Sequence, residues 1–200
     1  MNEIVIASRN RGKISEIKKI LSVRNARFTD LQEIGFPDEI EETGKTFREN
    51  ALIKAKTVYA WCDLPVVADD SGLCVTALGG SPGVYSARFA GPDASDEENN
   101  RLLLEMLAGV PEARRSAYFA CTALFYHAQG EYSVAEGRVD GIITTEPAGD
   151  GGFGYDPVFY LPKKRKTMAQ LAEREKNALS HRAQAFRRLK PSIDNHFSSS

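Results

Sequence analysis

Two rhythms of apolar positions organise the chain. Short unbroken apolar runs recur, and each is followed by a segment in which apolar residues return every three or four positions. Ile4-Val5-Ile6-Ala7 is the first such run and reads as a buried strand. A polar loop, Ser8 to Lys13, follows, and then a helix with Ile14, Ile17, Ile20 and Leu21 on one face. Arg27 to Leu31 predicts a short second strand. Thr46 and Glu49 have capping-box spacing and start a helix that runs to about Trp61. Val66-Val67-Ala68 predicts a second buried strand, Ser71-Gly72 a turn, and Leu73 to Leu78 a further strand. Gly79 to Gly91 reads as a long loop, and Asp93 to Leu107 as a helix with acidic residues in its first turn. Ser116 to His127 and Glu131 to Ile143 read as long strands joined at Gln129-Gly130. In the first of them Ala117, Phe119, Cys121, Ala123 and Phe125 share one face. Leu124 and Tyr126 lie on the other, so the pair is expected to be covered on both sides. Thr167 to Leu171 opens a short helix, Lys176 to Leu189 forms the last one, and a tail from Ser192 is expected to be loose. Strands alternating with helices predict an α/β fold. The sequence shows no linker, so residues 1–191 are read as one domain and 192–200 as the tail.

Composition narrows the class without naming it. A net charge of -1 over 200 residues lacks the basic excess of a nucleic-acid or membrane-surface protein, so neither partner is expected. No stretch is long and apolar enough to span a bilayer. Cys62, Cys74 and Cys121 are odd in number and widely spaced. They fit neither a zinc site nor a disulfide framework and point to a reducing compartment, with the cytoplasm as the default.

Candidate chemistry centres on Pro65-Val-Val-Ala-Asp-Asp-Ser-Gly-Leu73. Asp69 and Asp70 end a buried run, and adjacent carboxylates there are costly unless a cation or hydrogen-bond donors receive them. Taken alone, a polar turn explains Asp70-Ser71-Gly72 as well. Elsewhere the chain supplies what a metal–phosphate site needs. Ser8-Arg9-Asn10-Arg11-Gly12-Lys13 lies between a strand and a helix, where backbone N–H groups can meet phosphate, although the loop is not a Walker A sequence. Glu41 and Glu42 precede the helix that carries Lys54, a phosphate contact or an ordinary surface lysine. Phe153, Gly154, Tyr155 and Asp156 combine a permissive backbone, flat rings and an acceptor. Ser180-His181-Arg182 sets two cationic side chains beside a hydroxyl.

These motifs occur in the order, and over the span of about Ile4 to Leu189, in which the inosine triphosphate pyrophosphatase family carries them. They are Ser8-x-Asn10-x-x-Lys13, Glu41-Glu42-Thr43-Gly44-x-Thr46-Phe47-x-Glu49-Asn50-Ala51 and Ala68-Asp69-Asp70-Ser71-Gly72-Leu73. Pro82-Gly83-Val84-Tyr85-Ser86-Ala87-Arg88, Gly152-Phe153-Gly154-Tyr155-Asp156-Pro157 and Ser180-His181-Arg182 complete the set. The chain resembles that family, with Arg9 and Arg11 making the first loop more basic than the family pattern.

The resemblance implies an elongated mixed β-sheet flanked by helices, in two lobes with an active-site cleft between them, and a homodimer. It implies hydrolysis of deaminated purine nucleoside triphosphates (ITP, dITP, XTP) to the monophosphate and pyrophosphate. Mg²⁺ would be held by Asp70 with Glu41 or Glu42, because a triphosphate repels nucleophiles until its charge is offset. Asp70 is the candidate base and Asp69 its neighbour in orienting metal or water. Lys13, Lys54 and Lys176 would face the triphosphate. The 8–13 loop, Ser71 and residues 153–156 would hold phosphate, sugar and base, with His181 and Arg182 at the purine 6-position. A nucleotide sensor without turnover and a Mg²⁺-dependent phosphatase of another class are the alternatives; release of pyrophosphate separates the enzyme from both.

Overall fold

The computed structural model describes residues 2–22, 26–37 and 39–198. Seven strands form one sheet in the order β2-β1-β3-β4-β5-β6-β7. They are β1 (Asn2–Ile6), β2 (Ala26–Asp30), β3 (Val66–Val75), β4 (Ser116–Ala128), β5 (Glu131–Ile143), β6 (Phe159–Leu161) and β7 (Lys166–Thr167). β1 pairs in parallel with β2 and β3, while β5–β6 and β6–β7 are antiparallel. The helices are α1 (Arg11–Ile20), α2 (Phe47–Cys62), α3 (Asp96–Met106), α4 (Glu173–Leu179) and α5 (His181–Ser198). The sheet is therefore mixed and the fold α/β, as the sequence pattern predicts.

The chain divides into two compact units. The first comprises residues 1–70, 121–137 and 181–200, the second residues 71–120 and 138–180. In the first unit the period of two along each strand sorts side chains onto two faces. Ile4, Ile6, Val67, Cys121, Ala123 and Phe125 pack with Ile17 of α1, with Leu21 just after it, and with Phe186, Leu189 and Ile193 of α5. Val5, Ala7, Val66, Ala68, Leu124 and Tyr126 pack on the opposite side with Ala51, Ala55 and Val58 of α2. Both faces are dry, which explains why these strands read as nearly continuous apolar runs. In the second unit Leu73, Val75, Phe119 and Ile143 pack with Leu103 of α3, with Leu107 just after it, and with Phe159 and Met168. Each fully buried Leu, Ile or Phe in these clusters contributes about 1.5–3 kcal/mol.

Local signals fix the element ends. Thr46 and Ser95 each form a capping box, with Glu49 and Glu98, at the starts of α2 and α3. Gly130, at φ +83, turns the chain between β4 and β5. Gly137 on β5 has a different duty. A Cβ there would lie 2.0 Å from the His181 carbonyl oxygen, so only glycine lets α5 start this close to the strand.

Four expectations change. Ser71-Gly72 does not turn: β3 runs unbroken through it to Val75, beyond the stretch that pairs with β1, so the continuous strand overrides local turn preference. α1 begins earlier, at Arg11, capped by Asn10, so Gly12 and Lys13 lie in its first turn and not in a loop. The last helix is two helices separated at Ser180. The tail expected to be loose is helical through Ser198, with Ile193 buried and Phe197 packed on the core; Ser199 and Ser200 lie outside the described residues. Pro191 reads in sequence as a helix terminator, yet the apolar spacing of Phe186, Leu189, Ile193 and Phe197 carries the helix past it.

Candidate active site

Adjacent residues on a strand point to opposite faces, and this divides the Asp69-Asp70 pair. Asp69 turns to the face of α1 and α5. Its Oδ2 lies 3.4 Å from Lys13 Nζ and 3.2 Å from Arg182 Nε, and Cys121 Sγ approaches to 3.8 Å. Arg182 also pairs, through Nη1, with Glu16 of α1. Burial works to raise the Asp69 pKa, but Lys13, Arg182 and Lys54 outweigh it and hold the carboxyl well below its ordinary range. Strand geometry thus sends the Asp69 carboxylate to the other side of the sheet from Asp70.

Asp70 turns to α2. Asn50 and Lys54 are four residues apart on that helix and so share a face. Asn50 Nδ2 donates to Asp70 Oδ2 at 3.1 Å, and Lys54 Nζ donates to Asp70 Oδ1 at 3.2 Å. The same ammonium donates to Glu42 Oε1 at 2.9 Å. Asn50 Oδ1 in turn accepts from Gly44 N–H at 2.8 Å, which anchors the segment carrying Glu42. Burial raises the Asp70 pKa, Lys54 and Lys13 oppose it, and Glu42 adds to the rise; the net shift is upward. Lys54 shows the complementary pattern. Burial alone would lower its pKa, and Asp70, Glu42 and Asp69 reverse that, leaving it raised and firmly charged.

Between Glu41 and Glu42, the structure brings Glu42 to this centre and leaves Glu41 exposed. Among the described residues no group of three or more His, Cys, Asp or Glu side chains could hold a metal by itself. Two carboxylates already gathered about one cation do fit Mg²⁺, which keeps much of its water and completes its shell with substrate phosphates. Glu42 and Asp70 are the residues that would hold it.

In the 8–13 segment, Ser8 Oγ accepts from Asn10 N–H and Asn10 Oδ1 accepts from Lys13 N–H. Arg9 donates to the Phe36 carbonyl at 2.7 Å. Of this stretch, Lys13 is the residue joined to the Asp69 carboxylate.

The second unit gathers another set. Asp156 Oδ2 accepts from Phe153 N–H at 3.0 Å and from Lys176 Nζ at 2.6 Å, and Lys176 Nζ sits 4.4 Å from the centre of the Phe153 ring. Lys176, expected at the triphosphate, is thus paired with Asp156. A Cβ on Gly152 would meet Asp156 Oδ2 at 2.0 Å, so this glycine admits the carboxylate. Gly154 N–H donates to Asp96 and its carbonyl accepts from Asn100. Tyr155 was expected to offer a flat face. It is buried instead, its hydroxyl donating to the Ser86 carbonyl, and burial followed by Asp96 pushes its pKa up. Ser71 lies on β3 beside Asp70 but belongs to this unit, and His181 is buried at the start of α5 in the first.

Asn50, Glu16, Asp96 and Asn100 were not singled out as site residues by the sequence. Asn50 was legible from its i, i+4 relation to Lys54, and Glu16 from its i, i+3 relation to Lys13.

An open mixed sheet whose adjacent central aspartates are each met by a lysine defines an α/β protein built around carboxylate–ammonium chemistry. The Ham1 family pattern matches residues 4–192. The chain belongs to the Ham1 family. It is 49% identical over 194 residues to a dITP/XTP pyrophosphatase of Bacillus licheniformis, covering 97% of this chain and 99% of that protein. It is 45% identical over 197 residues to the dITP/XTP pyrophosphatase of Escherichia coli K12, covering 98% and 100%. The solved Ham1 protein of Coxiella burnetii superposes with a TM-score of 0.89 at 42% identity, covering 98% of this chain and all of that one. Among the described residues no helix is long and apolar enough to cross a membrane.

Proposed function

We propose that this protein hydrolyses deaminated purine nucleoside triphosphates (dITP, ITP and XTP) to the monophosphate and pyrophosphate, removing them from the nucleotide pool before incorporation into DNA or RNA. The relatives named for this activity support the reading over nearly the whole chain. The observation that carries it is the Glu42–Lys54–Asp70 cluster, two carboxylates held about one positive charge with a third group, Asn50, fixing the acid.

In this reading Asp70 takes the proton of the attacking water, and its upward-shifted pKa brings it closer to the working pH of a general base. Asn50 and Lys54 orient the carboxylate. Mg²⁺, held by Glu42 and Asp70, would supply charge neutralisation at the phosphates. Lys13 supplies a point charge to the triphosphate, and Asp69 with Arg182 holds the Lys13 side of the strand. Ser8, Asn10 and Gly12 contribute the start of α1, and Ser71 a hydroxyl beside Asp70. Phe153, Gly154, Asp156, Lys176 and His181 remain the proposed contacts for sugar and base. A homodimer belongs to the same proposal and rests on the sequence resemblance; a cytoplasmic location rests on the few, widely spaced cysteines. Incubation with dITP, ITP, XTP and ATP plus Mg²⁺ tests the activity. Pyrophosphate from the first three, well above ATP, is expected; orthophosphate as the product, or no turnover, refutes it.

A further inference from the structure

Helix α3 grips one residue of the 153–156 loop from both sides. Asp96 and Asn100 are one helical turn apart on α3 and so share a face. Asp96 Oδ2 accepts from Gly154 N–H at 2.6 Å, and Asn100 Nδ2 donates to the Gly154 carbonyl at 2.9 Å. Gly154 sits at φ +61, a backbone conformation that favours glycine.

The needs of α3 itself explain neither contact. Ser95 and Glu98 cap the helix reciprocally, so its first turn does not depend on Asp96. Asn100 is 6% exposed, and its Oδ1 is buried without a hydrogen-bond partner among the described residues. A buried carbonyl oxygen left unmatched is costly, and a leucine of similar size would avoid that cost. What asparagine adds at this position is the donor to Gly154.

The chemistry lies on either side of the gripped residue. Phe153 N–H and Lys176 Nζ both donate to Asp156 Oδ2, and Lys176 Nζ stands 4.4 Å from the centre of the Phe153 ring. Gly154 lies between Phe153 and Asp156, so a rotation of its backbone would move one against the other. We propose that Asp96 and Asn100 are positioning residues for base selection. They hold Gly154 and thereby set where the Phe153 ring and the Asp156–Lys176 pair meet a purine; this rests on the proposed function, in which residues 153–156 contact the base. Choosing a 6-oxo over a 6-amino purine requires polar groups met at hydrogen-bond distance, and a shift of about 1 Å takes such a bond out of range.

Calorimetric titration of the full-length protein with inosine and adenosine monophosphates measures selection without turnover. Hydrogen–deuterium exchange over residues 152–156 measures the grip on the loop. Asp96→Ala removes the acceptor, Asp96→Asn keeps an acceptor without the charge, and Asn100→Leu removes the donor at similar volume. Asp96→Ala and Asn100→Leu are expected to speed exchange in this stretch and to narrow the preference for inosine monophosphate by up to about tenfold, the worth of one net hydrogen bond. Their circular dichroism spectra should match wild type, and Asp96→Asn should keep both exchange and preference. The proposal is overturned if the wild type does not prefer inosine monophosphate, or if exchange is unchanged in both Asp96→Ala and Asn100→Leu. It is also overturned if these variants bind the two nucleotides more weakly in equal proportion, which would make the contact structural only. If Asn100→Leu fails to fold, Asp96→Ala decides. A wild type that prefers inosine monophosphate yet releases no pyrophosphate from dITP loses the proposed activity and keeps this mode of selection. One that turns over dITP, with the preference intact in the variants, keeps the activity and loses the role of Asp96 and Asn100.

Discussion

Arg182 is 2% exposed and bridges two buried acids, Asp69 and Glu16, on strand β3 and helix α1. Removing it leaves both carboxylates buried beside an empty space, with Lys13 Nζ still 3.4 Å from Asp69. Breaking a buried ion pair from one side typically costs ~3–5 kcal/mol, because the orphaned charge keeps its desolvation penalty. For a chain of this size each kcal/mol lowers Tm by roughly 2–4 °C, so Arg182→Ala is expected to lose about 6–20 °C. Arg182→Met keeps most of the volume and isolates the charge. Urea unfolding of wild type, Arg182→Met, Asp69→Asn and the double variant gives the coupling, expected at roughly 0.5–3 kcal/mol, if m stays constant across the set. The double variant should recover part of the loss, since one uncompensated carboxylate has gone. A loss below ~1 kcal/mol in Arg182→Met would place the pair among solvent-screened surface bridges and refute the buried-bridge account.

Four further outcomes are expected. Asp70→Asn should fold normally and lose ~10²–10⁴ in turnover, and near-wild-type pyrophosphate release at saturating Mg²⁺ would remove Asp70 as the base. Lys13→Ala should raise KM for dITP, measured by steady-state kinetics; unchanged constants would leave Lys13 as a partner of Asp69 only. Gly137→Ala should destabilise the fold by about 1–3 kcal/mol in urea unfolding, because its Cβ meets backbone that cannot rotate away. Burial, with His127 beside it, lowers the His196 pKa. A base whose pKa is lower in the folded state binds fewer protons there, so its contribution is intact above the unfolded value and declines below about pH 6.5. Melting curves across that range should show a smaller acid loss in His196→Gln than in wild type.

Much of the fold was legible because burial leaves a period. The two dry faces of β4 were written in its alternating side chains, and the capping boxes of α2 and α3 in a few letters each. Tertiary contacts overruled local chemistry at Ser71-Gly72, where turn residues lie inside one continuous strand, and at Pro191, where buried Ile193 keeps the helix going. In the candidate site, Asp70, Lys54 and Lys13 stood out as charges near apolar runs. The separation of Asp69 from Asp70 followed from the strand period, but the turn expected after them concealed it. Tyr155 and Arg182 looked like ligand contacts because aromatic and cationic side chains suit nucleotides; their burial depends on residues far away in sequence, Ser86 and Glu16, which no local pattern announces.

The order in which the chain supplies its two compact units has a consequence for synthesis. The chain passes between them at 70/71, 120/121, 137/138 and 180/181. The first unit needs β4 and then α5, whose Phe186, Leu189 and Ile193 close the core begun by Ile4 and Ile6. A ribosome that has released the first 70 residues has therefore released no foldable piece. Completion waits for the last helix, and contacts of such long sequence separation form slowly. Expressed fragments ending before residue 181 should be insoluble or molten, whereas a nick at the 129–130 turn, with both pieces present, should be tolerated. A stop codon within α5 would then act as a folding lesion and not as a trimmed tail.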